Sequence, residues 1–336
     1  MTHGSGGMAP PRVSVIVPLF NKAMTICRAM ESVRRQTETE YEVIVVDDGS
    51  TDGGGDHVRS MGDARIRVLT QGNRGVSAAR NEGARAARSA LLAFLDADDE
   101  WEPDYLETIF RLQSRWPDAG VFATSYRFCG TRTRSAVLRG GAGVGDMGLL
   151  HDYFQVALVS DPPLWTSAVA VRREAWAEVG GFPENVISGE DLLTWARMAA
   201  RYPIAYCAIP KARFWEPEGP QSRPGRVPRE PDVVGTELMN LYRQRGREGR
   251  CRGLDRYIAH WHRMRAHIYL QLGNPGGARL ELRRSVQFAL GPKTVALYLI
   301  ALAPTMWTRR LIGMARAARR ALRHRSGSSS RPRVGA

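Results

Sequence analysis

The sequence predicts an α/β fold in which a mainly parallel central sheet is flanked by helices and followed by an α-helical C-terminal region. Three apolar runs of strand length lie within the first hundred residues. Helical patterns of roughly a dozen residues separate these runs. Because strands and helices alternate, we expect right-handed βαβ crossovers, which place successive strands parallel in one sheet.

The predicted strands are residues 13–17, 42–46 and 91–95. Each is a continuous apolar run, which is typical of strands that are buried on both faces. The segment 73–87 between the second and third strands is rich in alanine. This composition favours a helix that packs closely on the sheet.

Carboxylates follow two of these strands. Asp47 and Asp48 follow the second strand, and Asp96, Asp98 and Asp99 follow the third. A parallel sheet presents its chemistry at the carboxyl ends of its strands. Carboxylates two residues apart there can bind one hard cation such as Mg²⁺ or Mn²⁺, a natural partner of a diphosphate. The pattern indicates a metal-bridged sugar nucleotide, although a solvated acidic turn explains the later group alone equally well.

Five segments occur in order: PLFN at 18–21, DDGST at 47–51, NRGVSAARNEG at 73–83, LAFLDADDEW at 92–101 and GGFPENVISGEDLLTWARMA at 180–199. Through them, residues 12–215 resemble the family 2 glycosyltransferases. These are inverting enzymes with the Rossmann-like GT-A fold that use nucleotide-activated sugars. One such motif is a weak signal, whereas five at sensible spacings are a strong one.

The resemblance implies a nucleotide-binding set and a metal site. The nucleotide-binding residues would be Pro18, Phe20, Asp47, Arg74, Asp96 and Ala97. Within this set, Asp47 is expected to hydrogen-bond the base beside Arg74, and Asp96 is expected to reach the ribose. Asp98 would be the main ligand of Mg²⁺ or Mn²⁺, with Asp99 as a neighbouring ligand.

A further acidic pair, Glu190 and Asp191, opens a predicted helix that continues to residue 200. Taken alone, such a pair is explained by the favourable interaction of acids with a helix N-terminus. By the resemblance, Asp191 is the general base that deprotonates the acceptor hydroxyl, and Glu190 supports it or positions the acceptor. The implied reaction is a single displacement with inversion, and no residue is nominated as the nucleophile of a double displacement.

The donor is expected to be a nucleotide-sugar, with UDP favoured by family habit, and the acceptor a glycan or a lipid-linked glycan. Trp165 and Ser167 are possible acceptor contacts, because an aromatic face suits a sugar ring. A buried tryptophan explains Trp165 equally well.

The chain has 336 residues, of which 43% are hydrophobic, and it is therefore long enough to bury a full core. Its four cysteines lack metal-ligand spacing, which fits a reducing compartment. No signal peptide is visible in residues 1–11. We therefore expect a cytoplasmic protein.

The net charge differs between the N-terminal and C-terminal parts of the chain. Residues 1–239 contain 27 Lys and Arg against 31 Asp and Glu, whereas residues 240–336 contain 21 against 3. The predicted organisation is a disordered N-terminus at 1–11, a GT-A domain at 12–215, a linker or active-site loop at 216–232, an α-helical region at 233–325 and a disordered tail at 326–336.

The C-terminal region is predicted to begin with a helical hairpin, residues 257–272 and 278–290. Its first helix carries His260, His262 and His267, but no metal site is expected because acidic or thiol partners are absent at ligand spacing. Residues 295–325 mix apolar and arginine residues, as an interfacial helix on an anionic membrane does. We expect peripheral attachment to the inner face of the cell membrane, the alternative being a helix packed on the catalytic domain.

Two other functions remain possible from the sequence. A nucleotidyltransferase could use a similar sheet and acidic site, but the 18–22 segment lacks a glycine-rich triphosphate loop. The pI of about 10.3 suggests a non-catalytic nucleic-acid-binding protein. However, the excess positive charge is confined to the C-terminal part, so no specific nucleic-acid partner is expected.

Overall fold

A computed structural model of the protein describes residues 10–139, 145–216, 227–246 and 248–303. The chain forms two compact units. The first contains Met1–Pro224 and Thr236–Leu254, and the second contains Gly225–Gly235 and Asp255–Ala336. Most of the predicted disordered N-terminus, much of the 216–232 segment and the arginine-rich residues after 303 lie outside the described residues.

The first unit is built on one sheet. Its strands are β1 (Val13–Leu19), β2 (Tyr41–Asp47), β3 (Ile66–Thr70), β4 (Leu91–Phe94), β5 (Glu100–Trp101), β6 (Val121–Cys129), β7 (Arg134–Ser135), β8 (Met147–Leu149), β9 (Val169–Arg172) and β10 (Ile204–Trp215). The helices of this unit are α1 (Ala23–Arg34), α2 (Gly54–Ser60), α3 (Val76–Ala86), α4 (Tyr105–Arg115), α5 (Tyr153–Val159), α6 (Arg173–Glu178), α7 (Glu190–Arg201) and most of α8 (Val233–Arg245).

The strand order is β3-β2-β1-β4-β9-β6-β10-β5. The first four strands in this order are parallel, as the alternation of strands and helices predicts. β9 then runs antiparallel to both β4 and β6, whereas β10 is again parallel to β6, so the mainly parallel sheet also contains antiparallel strands. The prediction was drawn from the first three apolar runs, and it holds for the part of the sheet that they build. The α/β class and the helical C-terminal region are confirmed.

α3 packs closely on the sheet, as its alanine content predicts. A Cβ atom at Gly83 would lie 2.6 Å from Ile16 Cγ2 and 3.3 Å from Val46 Cγ2. Only glycine therefore allows this approach of helix to strand. The close packing brings the N-terminal half of α3 to the carboxyl ends of β1 and β4.

The second unit contains α9 from Asp255 onward (Leu254–Gln271), α10 (Pro275–Phe288) and α11 (Pro292–Leu302). α9 and α10 correspond to the two helices of the predicted hairpin. Asn274 caps α10, because its side-chain oxygen accepts a hydrogen bond from Gly277 N at 2.8 Å. Among the described residues, no helix is both long and apolar enough to cross a bilayer.

A buried polar network lies inside the second unit. His262 Nδ1 is 2.7 Å from Glu281 Oε2 and 4.0 Å from Asp232 Oδ2, so acidic partners do reach this histidine, contrary to the expectation from local spacing. These three residues could in principle hold a metal ion. However, Arg265 Nε lies 3.0 Å from Glu281 Oε1 and 3.3 Å from Asp232 Oδ2. A guanidinium thus already provides the positive charge, and we interpret the network as a structural ion-pair cluster.

Candidate active site

A cleft of about 300 Å³ lies at the carboxyl ends of β1 and β4. Its charged lining residues are Lys22, Asp48, Arg80, Asp96, Asp98 and Glu190. Its apolar lining residues are Pro18, Leu19, Phe20, Val76, Ala79 and Ala97. Four of the six charged side chains are acidic, and all four follow a strand or open a helix. The cleft therefore combines carboxylates suited to a cation with apolar surface suited to the rings of a bound molecule.

Asp96 faces this cleft from the end of β4. Its Oδ1 accepts a hydrogen bond from Arg80 Nη2 at 2.7 Å, and its backbone N–H is bound by Ser167 Oγ at 3.1 Å. The carboxylate is 26% exposed, so it is oriented by protein groups and still accessible from the cleft. The neighbouring Ala97 also lines the cleft, as do Pro18 and Phe20.

Asp98 is the acidic residue best placed for a cation. It lines the cleft, its side chain is 29% exposed, and its Oδ2 lies 2.5 Å from Lys22 Nζ. Arg28 Nη2 donates to its backbone oxygen at 2.9 Å, which fixes the turn after β4. Among the described residues of this cleft, the Asp98 carboxylate is paired only with the half-exposed ammonium group of Lys22. Mg²⁺ or Mn²⁺ can replace that ammonium group, so Asp98 is suited to bind either ion.

Asp99 does not share this position, which corrects the expectation that it is a metal ligand. It is 1% exposed, and its Oδ2 accepts hydrogen bonds from Ser167 Oγ at 2.5 Å and Trp165 Nε1 at 3.1 Å. Burial, followed by the charge of Asp96, raises the pKa of Asp99 well above its ordinary value. Trp215 N also donates to Asp99 Oδ1 at 3.3 Å, and a buried carboxyl held by three donors braces the turn and is not available to an ion in the cleft.

The same contacts redefine the two residues expected at the acceptor. Ser167 is fully buried, and its hydroxyl group joins Asp99 to the backbone of Asp96, so it cannot touch an acceptor. Trp165 is half-buried and stacks on Tyr126, with ring centroids 5.4 Å apart. Trp165 and Ser167 thus support the turn after β4 through their hydrogen bonds to Asp99.

The two acids after β2 differ in position. Asp47 lies outside the cleft lining and accepts a hydrogen bond from Ser50 N at 2.9 Å. Asp48 lines the cleft and accepts hydrogen bonds from Arg74 N at 2.8 Å and Gly75 N at 2.7 Å. Asp48 therefore shapes the wall that leads into α3. The Arg74 side chain is half-exposed and pairs with Glu184 at 3.1 Å.

Glu190 and Asp191 form the first turn of α7, as predicted. Glu190 lines the cleft, and burial together with the Asp191 carboxylate raises the pKa of Glu190 to about 7. Asp191 is not among the lining residues, and its Oδ1 accepts a hydrogen bond from Leu192 N at 2.7 Å. Glu190 thus lines the cleft, and Asp191 is the next residue along the first turn of the helix.

Lys22 and Arg80 are not identified from the sequence, and Asp48 is identified there only as an acid at a strand end, without a role. One signal was available for Arg80, because it lies among Ala78, Ala79 and Gly83 on the buried face of α3. A charged residue on a buried helical face needs a charged partner nearby. The partners come from β4 and α7, and a local pattern does not show that these elements meet.

Comparison with known proteins identifies a related family. Residues 14–175 match the model of the family Glycosyl transferase family 2. EpsH of Bacillus subtilis, named as a glycosyltransferase, is 42% identical over 106 residues, which is 31% of each chain. An uncharacterized glycosyltransferase of Rickettsia felis is 30% identical over 195 residues, 57% of this chain and 31% of the relative. The aligned parts thus span about a third of these relatives' length.

The fold is also similar to solved structures. S. aureus TarS in complex with UDP-GlcNAc has a TM-score of 0.63 at 17% identity, with 89% of this chain and 87% of that chain covered. TarS in complex with UDP has a TM-score of 0.60 at 19% identity, with the same coverage. At these identities the likeness shows a shared GT-A fold.

Proposed function

Residues 14–175 of this chain form a family 2 glycosyltransferase domain, and from this premise we propose that the enzyme transfers a sugar from a nucleotide-sugar donor to an acceptor hydroxyl group with inversion. The observation that carries the proposal is the cleft that joins Asp96 and Asp98 to Glu190. UDP is the favoured nucleotide, and the acceptor is a glycan or lipid-linked glycan. The complexes of TarS with UDP and UDP-GlcNAc support a UDP-sugar donor.

In this proposal the donor diphosphate lies against the turn after β4. Asp98 would hold Mg²⁺ or Mn²⁺, which when bound offsets the negative charge that develops on the departing nucleoside diphosphate. Asp96, oriented by Arg80, faces the ribose. Asp47 and Arg74 are proposed at the base, and Asp48 holds the backbone of the adjoining wall.

Asp191 is proposed as the general base and Glu190 as its partner. The acceptor oxygen attacks the anomeric carbon opposite the leaving group, and Asp191 takes its proton, so the configuration inverts. Glu190 presents its carboxyl directly to the cleft, where it can hydrogen-bond the donor sugar or the acceptor. A base in this position typically contributes about 10²- to 10⁴-fold to the rate.

A panel of UDP- and GDP-sugars tests this function. Each donor is incubated with the full chain and Mn²⁺, and release of the nucleoside diphosphate and the thermal shift of the protein are measured. At least one donor should be hydrolysed or transferred, and it should raise the melting temperature. A chain that instead releases pyrophosphate from a nucleoside triphosphate and a sugar phosphate is a nucleotidyltransferase.

We also propose that the second unit attaches the enzyme to an anionic membrane surface. On α11, Val295, Leu299 and Leu302 are 46%, 64% and 60% exposed, and their i, i+4, i+7 spacing places them on one face. Residues 304–336, outside the described residues, contain nine arginines and no acidic residue. Apolar anchors next to a basic segment suit anionic lipid, where each basic residue contributes up to about 1 kcal/mol.

Co-sedimentation of the full chain with liposomes tests this attachment. Binding should rise with anionic lipid content and fall only partly at high salt. Leu299→Gln with Leu302→Gln should weaken binding, whereas Leu280→Gln, at an exposed position of α10, should not. Equal binding of all variants would reject the α11 face as the anchor. Self-association in place of lipid binding would identify a second copy as its partner.

A further inference from the structure

Arg80 is a buried cation at the floor of the cleft. Its side chain is 5% exposed, and its charged partners come from two other elements. Nη2 donates to Asp96 Oδ1 at 2.7 Å, at the end of β4. Nη1 lies 3.8 Å from Glu190 Oε1, at the start of α7. Burying a guanidinium is costly unless carboxylates compensate for it, so these two contacts account for its presence in α3.

We infer that Arg80 is a positioning residue that sets the place and the ionisation of Glu190, and through Glu190 those of Asp191, relative to Asp96. This inference rests on the proposed function. A guanidinium suits the task, because its planar fork can address two carboxylates at once, whereas a lysine ammonium is a single point of charge.

The surroundings of Arg80 hold it in place. The Phe182 ring lies beneath the guanidinium, with its centroid 5.1 Å from Cζ. Asn81, the next residue of α3, fixes Phe182 by donating to its backbone oxygen at 2.8 Å and accepting from its N–H at 2.9 Å. Arg80 Nη1 and Nε have no hydrogen-bond partner among the described residues. The fixed side chain therefore keeps an unused donor directed at Glu190.

The positive charge of Arg80 affects the protonation of Glu190. The charged groups that act on Glu190 are Asp191 in its own helix, Arg80 from α3 and Asp96 from β4. Burial and the carboxylates favour the protonated form of Glu190, and Arg80 opposes them. Without Arg80, Glu190 should hold its proton to higher pH, and two carboxylates near the reacting atoms would lose their shared cation.

The pH dependence of kcat/KM tests the inference. Arg80→Gln should move the acid limb of the profile upward by about one pH unit, the usual effect of one nearby charge. Arg80→Lys, which keeps the charge without the second branch, should give a smaller movement. Arg85→Gln is the matched control, because Arg85 lies on the same helix but is 49% exposed and pairs with Glu82. Its profile should overlay that of the wild type.

The same substitution in a Glu190→Gln protein distinguishes a positioning role of Arg80 from a general loss of activity. If Arg80 acts through Glu190, Arg80→Gln should no longer move the acid limb in a Glu190→Gln protein. A lower rate with an unmoved limb in the single variant, or an equal movement in both backgrounds, would overturn the inference.

Thermal unfolding provides a readout that needs no transfer activity. The pKa of Glu190 in the folded protein is above its ordinary value of 4.5, so its contribution to stability is fully present below pH 4.5 and is lost as pH rises through about 7. Arg80→Gln should extend this loss to higher pH, so its melting temperature should fall further below the wild type at pH 8 than at pH 5. Glu190→Gln should cancel that difference. If the wild type transfers no sugar, the proposed function fails, and this measurement still decides the role of Arg80.

Discussion

Lys22 Nζ lies 2.5 Å from Asp98 Oδ2, so the carboxylate proposed to hold a divalent cation is paired with a lysine from the start of α1. The lysine is 42% exposed, and it can leave without opening the core. Asp96 is paired in the same way with Arg80, but that arginine is buried. Asp98 and Asp96 thus differ in how readily a metal ion can replace the protein cation that pairs with each of them.

The first prediction concerns the metal. Asp98→Ala should abolish transfer and the gain in UDP affinity that Mn²⁺ provides, because Asp98 is the accessible carboxylate at the cleft. UDP binding by calorimetry, with and without Mn²⁺, measures the effect. Asp56→Ala is the control, because Asp56 is 82% exposed on α2. Undiminished turnover in EDTA would exclude a catalytic cation.

The second prediction follows from the Lys22 pair. Lys22→Met should raise the affinity of the nucleotide-free protein for Mn²⁺ by about two- to fivefold, because an exposed ion pair contributes under about 1 kcal/mol. Mn²⁺ titration followed by electron paramagnetic resonance measures this. Lys22→Arg keeps the charge and should bind Mn²⁺ as the wild type does. A weaker or unchanged affinity of Lys22→Met would show that the lysine does not compete for Asp98.

The third prediction separates the two acids after β2. Asp48→Ala should weaken UDP binding more than Asp47→Ala, because Asp48 lines the cleft and holds the Arg74 and Gly75 amides. The two lost charge-assisted hydrogen bonds, worth about 1.5 to 3 kcal/mol each, would loosen the wall that leads into α3, so UDP affinity should fall more in Asp48→Ala than in Asp47→Ala. Both losses should be the same with and without Mn²⁺. A larger effect of Asp47→Ala would show that its contact with the base matters more than the support that Asp48 gives to the wall.

The fourth prediction concerns the acidic pair of α7. Asp191→Asn should reduce transfer by about 10²- to 10⁴-fold and leave UDP affinity within a few-fold, because a general base acts on the acceptor proton. Glu190→Gln should affect both donor-sugar binding and rate, because Glu190 lines the cleft. The anomeric configuration of the product is read by NMR. Near wild-type transfer by Asp191→Asn, or retention of configuration, would reject the single displacement.

Much of the fold followed from local patterns. The apolar runs of β1, β2 and β4 and the alanine-rich α3 gave the parallel part of the sheet and the edge at which the acids collect. The later strands were not recognised because β9 and β10 are antiparallel and parallel, respectively, to β6, and this pairing is set by tertiary contact.

Side-chain direction limited the prediction of the site. Asp96, Ala97 and Asp98 lie in the turn after β4 and all line the cleft, while Asp99, which closes the turn through its N–H to Asp96 O at 3.0 Å, is buried. Asp47 ends β2 and Asp48 follows it, and Asp48 reaches the cleft through its contacts with the backbone of residues 74 and 75, which no local spacing shows. Arg80 and its partners are brought together by three different elements, and no local spacing shows this.

The last prediction concerns the buried network of the second unit. Arg265→Met should destabilise that unit by about 3 to 5 kcal/mol, because Asp232 and Glu281 would lose their shared cation inside the protein. The pKa of Glu281 lies below its ordinary value despite burial, since His262 and Arg265 favour its charged form. Its contribution to stability is therefore present above pH 4.5 and lost as pH falls below that value. Hydrogen exchange of residues 255–288, read by mass spectrometry, should be faster in Arg265→Met than in Arg283→Met, which changes an exposed arginine of α10. Equal exchange in the two variants would show that the network does not stabilise this unit.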